Sequence, residues 1–219
     1  MVGLEYKKGK SMVFIKKQTN KQVSQDRRSR QRDCLALLAQ LSDPNSTARR
    51  WAARDLVDCP GATAALVRRL KIEPVVSVRE VILTTLTRLG DQTAVAGLVD
   101  CLRSEDAALR NEAIEAMKQL PDAVAPIMRE LLADPVSDVR IFAVNILESL
   151  RHPEVEAWLI EVIEKDPHVN VCAAAVDLLS EVGTEAAREA LVRLKTHFAD
   201  EPYFQFAADL ALKRILTYP

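Results

Sequence analysis

Apolar residues recur at helical spacing through most of this chain. Take Arg49, Arg79, Arg110, Arg140 and Cys172 as origins. The positions one before and three, four, seven and ten after each are apolar in all five copies. The first set is Ala48, Ala52, Ala53, Leu56 and Cys59, and the fifth is Val171, Ala175, Val176, Leu179 and Val182. Offsets of three, four and seven share one face of a 3.6-residue helix, whereas a strand repeats every second residue. Each origin therefore sits on an amphipathic helix.

A turn precedes each of these helices. Acid-Pro dipeptides stand at Asp43-Pro44, Glu73-Pro74, Asp134-Pro135, Asp166-Pro167 and Glu201-Pro202, with Ser104-Glu105-Asp106 filling the gap in the series. Pro suits the turn or the first helical position, and an acid suits the cap before it. A second set of helical segments is predicted before the turns, over Cys34–Leu41, Ala62–Leu70, Thr93–Leu102, Val124–Leu132, Glu154–Ile163 and Glu185–Phe198. Gly61, Gly90, Pro121, Pro153 and Gly183 punctuate between copies. The reading is all-α: about six helix pairs of roughly 31 residues, stacked because one pair cannot cover its own apolar face. The register of the sixth copy, around Ala207–Leu216, is not legible.

The run Leu131-Leu132-Ala133-Asp134-Pro135-Val136-Ser137-Asp138-Val139-Arg140-Ile141-Phe142-Ala143 resembles a HEAT repeat. The short repeat length is most similar to bacterial HEAT-like repeats of the phycobilin-lyase type. The resemblance covers about residues 31–200 and implies an α-solenoid that serves as a binding scaffold, with the second helix of each pair lining a concave side. The stripe opposite the apolar face then carries Arg50, Arg54, Glu80, Thr84, Arg88, Asn111, Glu115, Asn145, Asp177 and Glu181, flanked by Trp51 and Phe142. Its charge grades from basic to acidic, as expected of a surface for a protein segment of opposite polarity. The other reading of Trp51 and Phe142 is packing between neighbouring copies. Arg49, Arg79, Arg110 and Arg140 form a ladder beside the apolar face. Each is expected to bridge to a turn's carboxylate and to carbonyls of a neighbouring copy.

Charge separates an arm from the body. Residues 1–33 hold ten Lys/Arg and three acids, so +7, while the rest of the chain is −8. Residues 1–30 are expected to form a basic, mostly disordered arm, either a contact for an acidic partner or a solubilising tail, and residues 31–219 the repeat domain. An acidic body disfavours nucleic acid, and with it the HEAT-like DNA glycosylases.

No motif for catalysis stands out. The chain lacks G-x-S-x-G, P-loop and dinucleotide fingerprints, and with 6 glycines it is poorly supplied for glycine-rich nucleotide turns. Its histidines are His152, His168 and His197. The i, i+4 pair His168/Cys172 is two ligands, short of a metal site. The repeated His-Glu motifs of HEAT-like di-iron hydroxylases are absent. Cys172 lies among apolar neighbours, a setting that makes a thiol inert. Trp51, Trp158 and the few other aromatics are scattered, without the concentrated pocket that a bilin lyase would need. The four cysteines read as reduced, buried thiols, and no apolar run approaches a membrane span or a secretory signal. The expectation is a cytoplasmic, non-enzymatic scaffold for a protein or peptide, with no cofactor and no metal. A bilin-lyase subunit or chromophore-attachment factor is the alternative, and a nucleic-acid module stands behind both. Deleting residues 1–30 is expected to leave the helicity and cooperative melting of the body intact by circular dichroism. Loss of cooperativity would place the arm in the packed structure.

Overall fold

The computed structural model describes residues 34–217, so the arm expected over 1–30 lies outside the described residues. Helices run α1 (34–40), α2 (Ser46–Asp55), α3 (Thr63–Leu70), α4 (Val76–Leu89), α5 (Gln92–Cys101), α6 (Ala107–Lys118), α7 (Pro121–Val124) and α8 (Met128–Leu132). They continue as α9 (Ser137–Leu147), α10 (Val155–Lys165), α11 (Val169–Val182), α12 (Arg188–His197) and α13 (Pro202–Thr217). No strand occurs among the described residues. The helices form two layers. The second helices of the pairs, α2, α4, α6, α9, α11 and α13, pack in chain order, and the first helices lie behind them. The chain is an all-α solenoid of six helix pairs.

The apolar face is the core. Offsets three, four and seven are buried in all five copies, from Ala52, Ala53 and Leu56 to Ala175, Val176 and Leu179. At the remaining offsets Ala48, Leu89 and Leu120 are partly buried, and Val182, at offset ten in the fifth copy, stays 40% exposed at its helix end. Gly90 ends α4 with φ 56°, the left-handed cap that glycine adopts without strain.

The turns differ from the expected capping. In the first five copies the helix starts three residues after the acid or Ser104, not at the proline. The N-caps are Asn45, Val75, Asp106, Val136 and His168. The acid instead accepts the N–H of that N-cap residue, two positions on: Asp43 from Asn45 at 2.7 Å, Glu73 from Val75 at 3.0 Å, Asp134 from Val136 at 2.9 Å and Asp166 from His168 at 2.8 Å. The Ser104 hydroxyl does the same for Asp106 at 3.1 Å. Proline fits between them because the turn asks no donor of it.

The sixth copy does start its helix at the proline, Pro202. Its register is therefore shifted, and Gln205 takes the origin position. Its amide donates to the Lys195 and Phe198 carbonyls at 2.8 and 3.2 Å. The fourth copy departs as well: its first helix is broken into α7, a 3-10 turn over Ala125–Ile127, and α8. Pro126 within that turn has no N–H to continue a helix.

The first and last described copies each carry an exposed acid where the inner copies bury a side chain. Thr85 on α4 donates to the Ala53 carbonyl of the copy before, which shows that this flank faces backward. The matching positions Ala116, Ile146, Leu178 and Ala211 are buried, but Asp55, in the first described copy, is exposed. On the forward flank Ala53, Leu83, Ile114, Val144 and Val176 are buried, whereas Asp209 of the last copy is exposed and paired with Lys195.

The expectation of four reduced thiols is corrected. Cys34 and Cys59 form a disulfide with Cα atoms 5.7 Å apart, tying α1 to the end of the first pair, while Cys101 and Cys172 are free and buried. Spacing along the chain could not reveal this, because the helix pair folds back and brings residues 25 apart in sequence together. By loop-closure entropy the bond contributes about 3 kcal/mol. Thermal melting with and without dithiothreitol is expected to show a lower midpoint on reduction, and no such shift in a Cys34→Ser variant.

Candidate functional site

The arginine series joins successive copies. Arg49 donates to the Asp43 and Pro44 carbonyls of its own turn at 2.9 and 3.0 Å, and makes a bidentate contact with Glu73 of the next copy at 2.7 and 2.8 Å. Arg140 repeats the arrangement with the Asp134 carbonyl at 2.9 Å and Asp166 at 2.6 and 2.9 Å. Arg79 reaches Asp106 at 3.0 Å and Glu112 at 3.1 Å, because Ser104 supplies no carboxylate. The carbonyls thus come from the arginine's own copy, and only the carboxylate comes from the neighbour. Arg110 holds the Ser104 and Glu105 carbonyls alone, and Asp134 is taken by Arg103. The Cys172 thiol fills the fifth position, donating to the Asp166 carbonyl at 3.3 Å. Burial pushes that thiol up to about 11, so it is neutral near pH 7.

Glu73 is the most enclosed carboxylate of this series, with no side-chain exposure. Burial alone would raise its pKa. Hydrogen bonds from Arg49, from Arg69 and from the Val75 N–H outweigh that and hold it at about 2.

The stripe residues lie on the outward side of the second-helix layer. Arg50, Arg54, Glu80, Thr84, Arg88, Asn111, Glu115, Asn145, Asp177 and Glu181 are all exposed, and Phe142 is half-buried. Arg50, Glu80, Arg88, Asn111, Asn145 and Glu181 have no side-chain partner among the described residues. Others are engaged: Arg54 with Asp55 at 2.8 Å, Glu115 with Lys118 at 3.4 Å, and Asp177 with the Tyr203 hydroxyl at 2.5 Å. Trp51 lies on the backward flank of α2, where no earlier second helix covers it among the described residues, and it is 50% exposed with the Arg54 guanidinium 4.1 Å from its ring centre. Phe142 holds the same position on α9, where α6 packs alongside, and the Arg110 guanidinium lies 6.0 Å from its ring.

Three residues missing from the expected stripe follow from the corrected register. Phe206 and Leu210 stand on α13 at the stripe positions with Tyr203 beside them on the same face, exposed to 70%, 49% and 42%. The i, i+3, i+7 spacing was visible in the sequence, but without the helix start nothing said which face it occupied.

The turns of the fourth and fifth copies enclose a cavity of about 470 Å³ that gathers Trp158, Arg129, Arg140 and Lys165. This is more concentrated than the scattered aromatics suggested. Its cations are neutralised: Arg140 by Asp166, Lys165 by Glu161, and Arg129 by Glu154. Among the described residues no group of three or more His, Cys, Asp or Glu is placed to hold a metal, and no helix is long and apolar enough to cross a membrane.

Stacked helix pairs joined turn to turn define an α-helical repeat protein. The chain belongs to the HEAT-repeat family, whose model matches residues 34–118, 63–141 and 124–213. Among solved structures, an engineered structural-genomics target is 21% identical, covering 84% of this chain and 97% of its own, with a TM-score of 0.41. The complex of CpcE and CpcF of phycocyanin lyase from Nostoc sp. PCC7120 is 20% identical over 83% of this chain and 94% of that chain, with a TM-score of 0.36. A designed armadillo repeat protein is 16% identical over 82% and 98%, with a TM-score of 0.39. No curated protein matches the chain significantly.

Glu73 sets a pH dependence. Its folded pKa is depressed, so its contribution is complete above the unfolded value of 4.5 and is lost as pH falls from 4.5 towards about 2. The linked stability is on the order of 3 kcal/mol. Melting temperatures across this window are expected to fall more steeply for the native chain than for Glu73→Gln, which should be less stable at neutral pH. Parallel profiles would remove Glu73 from the acid response.

Proposed function

We propose that the chain is a non-enzymatic scaffold that binds a protein or peptide segment along the stripe of its second-helix layer. The observation that carries this reading is the exposure of polar side chains with no partner on five successive second helices, ending in Tyr203, Phe206 and Leu210. A solvated face can be polar throughout. Three large apolar side chains on one exposed helical face instead suit contact with a partner. The charges of the stripe run from Arg50 and Arg54 to Asp177 and Glu181, and the partner segment carries the reverse order, with apolar side chains for α13. Basic residues in the N-terminal segment add a contact for an acidic region of that partner.

Arg54 and Asp177 are poor probes, because each is tied to a neighbour in its own chain. Arg50→Glu and Phe206→Ser change stripe residues without breaking a described side-chain bond. Capture from native lysate by the wild-type chain is expected to recover a protein that either variant loses, with melting temperatures nearly unchanged. Exposed Arg68→Glu on the first-helix layer should leave capture intact. The opposite pattern would move the binding face to that layer.

A further inference from the structure

The broken first helix of the fourth copy leaves a cleft in the other layer. On one flank, α5 packs tightly against α3: a Cβ added to Gly97 would lie 2.4 Å from a Val67 methyl. On its other flank α5 meets α7, the 3-10 turn and α8, and a cleft of about 570 Å³ remains between them. Val95, Val99, Ile127 and Leu131 supply apolar wall, with Val95 and Leu131 buried. A space of this size, mostly apolar with a few polar groups, is the usual form of a small-molecule site.

The charge around the cleft is one-sided. Its lining cation, Arg103, is bound to Asp134, and Asp100 is bound to Lys71 at 2.8 Å. Asp122 and Glu130 also line it and have no partner among the described residues. The cleft thus offers two uncompensated carboxylates beside an apolar wall and no uncommitted cation. An anion meets repulsion there, and a neutral molecule gains nothing from the two acids.

We propose that this cleft binds a small organic cation, an apolar body bearing one ammonium group. The body packs on the valine, isoleucine and leucine side chains, and the ammonium donates to Asp122 or Glu130. The proposal is independent of the stripe, which lies on the opposite layer. It also gives Pro126 a consequence: an unbroken helix here would pack against α5 as α3 does and close the space.

The test uses the full chain and three probes of similar shape and different charge: phenylbutylamine, phenylbutanol and phenylbutyrate. Methyl NMR titration is expected to show saturable binding of the amine, with shifts centred on Val95, Val99, Ile127 and Leu131. The alcohol should bind about tenfold more weakly, roughly the effect of one favourable charge contact, and the carboxylate more weakly still. Replacing the two exposed acids, Asp122→Asn with Glu130→Gln, should bring the amine down to the level of the alcohol without unfolding the protein. Ala96→Trp, which fills the cleft from its exposed edge, should abolish binding of all three. Equal binding of amine and alcohol, shifts centred elsewhere, no saturation by the amine, or a charge preference that survives the double substitution would each overturn the proposal.

Discussion

The bond on which the stack depends is the guanidinium that holds two copies at once. One edge of Arg49 or Arg140 fixes the carbonyls of the turn that introduces its own helix. The rest closes on the carboxylate of the next turn. That carboxylate in turn accepts the N–H of the next N-cap residue. Turn shape in one copy and docking of its neighbour are thereby set by one side chain. Arg fits this role because its planar fork of donors meets carbonyls and a carboxylate simultaneously, as the three rotating protons of Lys cannot. Burying such a charge unpaired would cost several kcal/mol, so each member of the pair requires the other.

The joints are not equal. The first, second and fourth carry direct arginine-to-acid contacts between copies. At the third, Arg110 stays within its own turn and Arg103 serves Asp134 from the preceding pair. At the fifth, neutral Cys172 stands in the arginine's place and the following copy begins at Pro202 in a shifted register. In a solenoid, stability is approximately a sum of repeat and nearest-neighbour terms. At the third and fifth joints the ladder position itself makes no contact with an acid of the next copy, and the irregular features, the broken fourth-copy helix and the shifted α13, occur beside them.

The two layers offer different surfaces. Second helices approach closely, helped by alanine at Ala52, Ala113, Ala143 and Ala175, all fully buried, so their outward stripe is a continuous surface. The first-helix layer has a gap where Pro126 interrupts it. The two proposed ligands, a segment lying across many copies and a small molecule held between two of them, correspond to these two geometries.

The repeat, its length, its all-helical character and the buried offsets were legible in the sequence. They follow from local periodicity, and each copy restates the same requirement. The stripe was legible for the same reason: once one helical face is known to be apolar, the opposite one is known. What lay beyond the sequence depended on how one copy meets another. The acid was expected to cap a helix, but the N-cap fell two residues later because the carboxylate was shared between an N-cap N–H and, in three joints, an arginine of the copy before. Trp51 and Phe142 occupy equivalent positions, yet one is half exposed and the other packed, because only one has a helix behind it. The sixth copy hid its register by starting a helix directly at its proline. The Cys34–Cys59 pairing and the cleft beside Pro126 arise from chain reversal and from helix separation. Those are distances in space, and a one-dimensional pattern does not contain them.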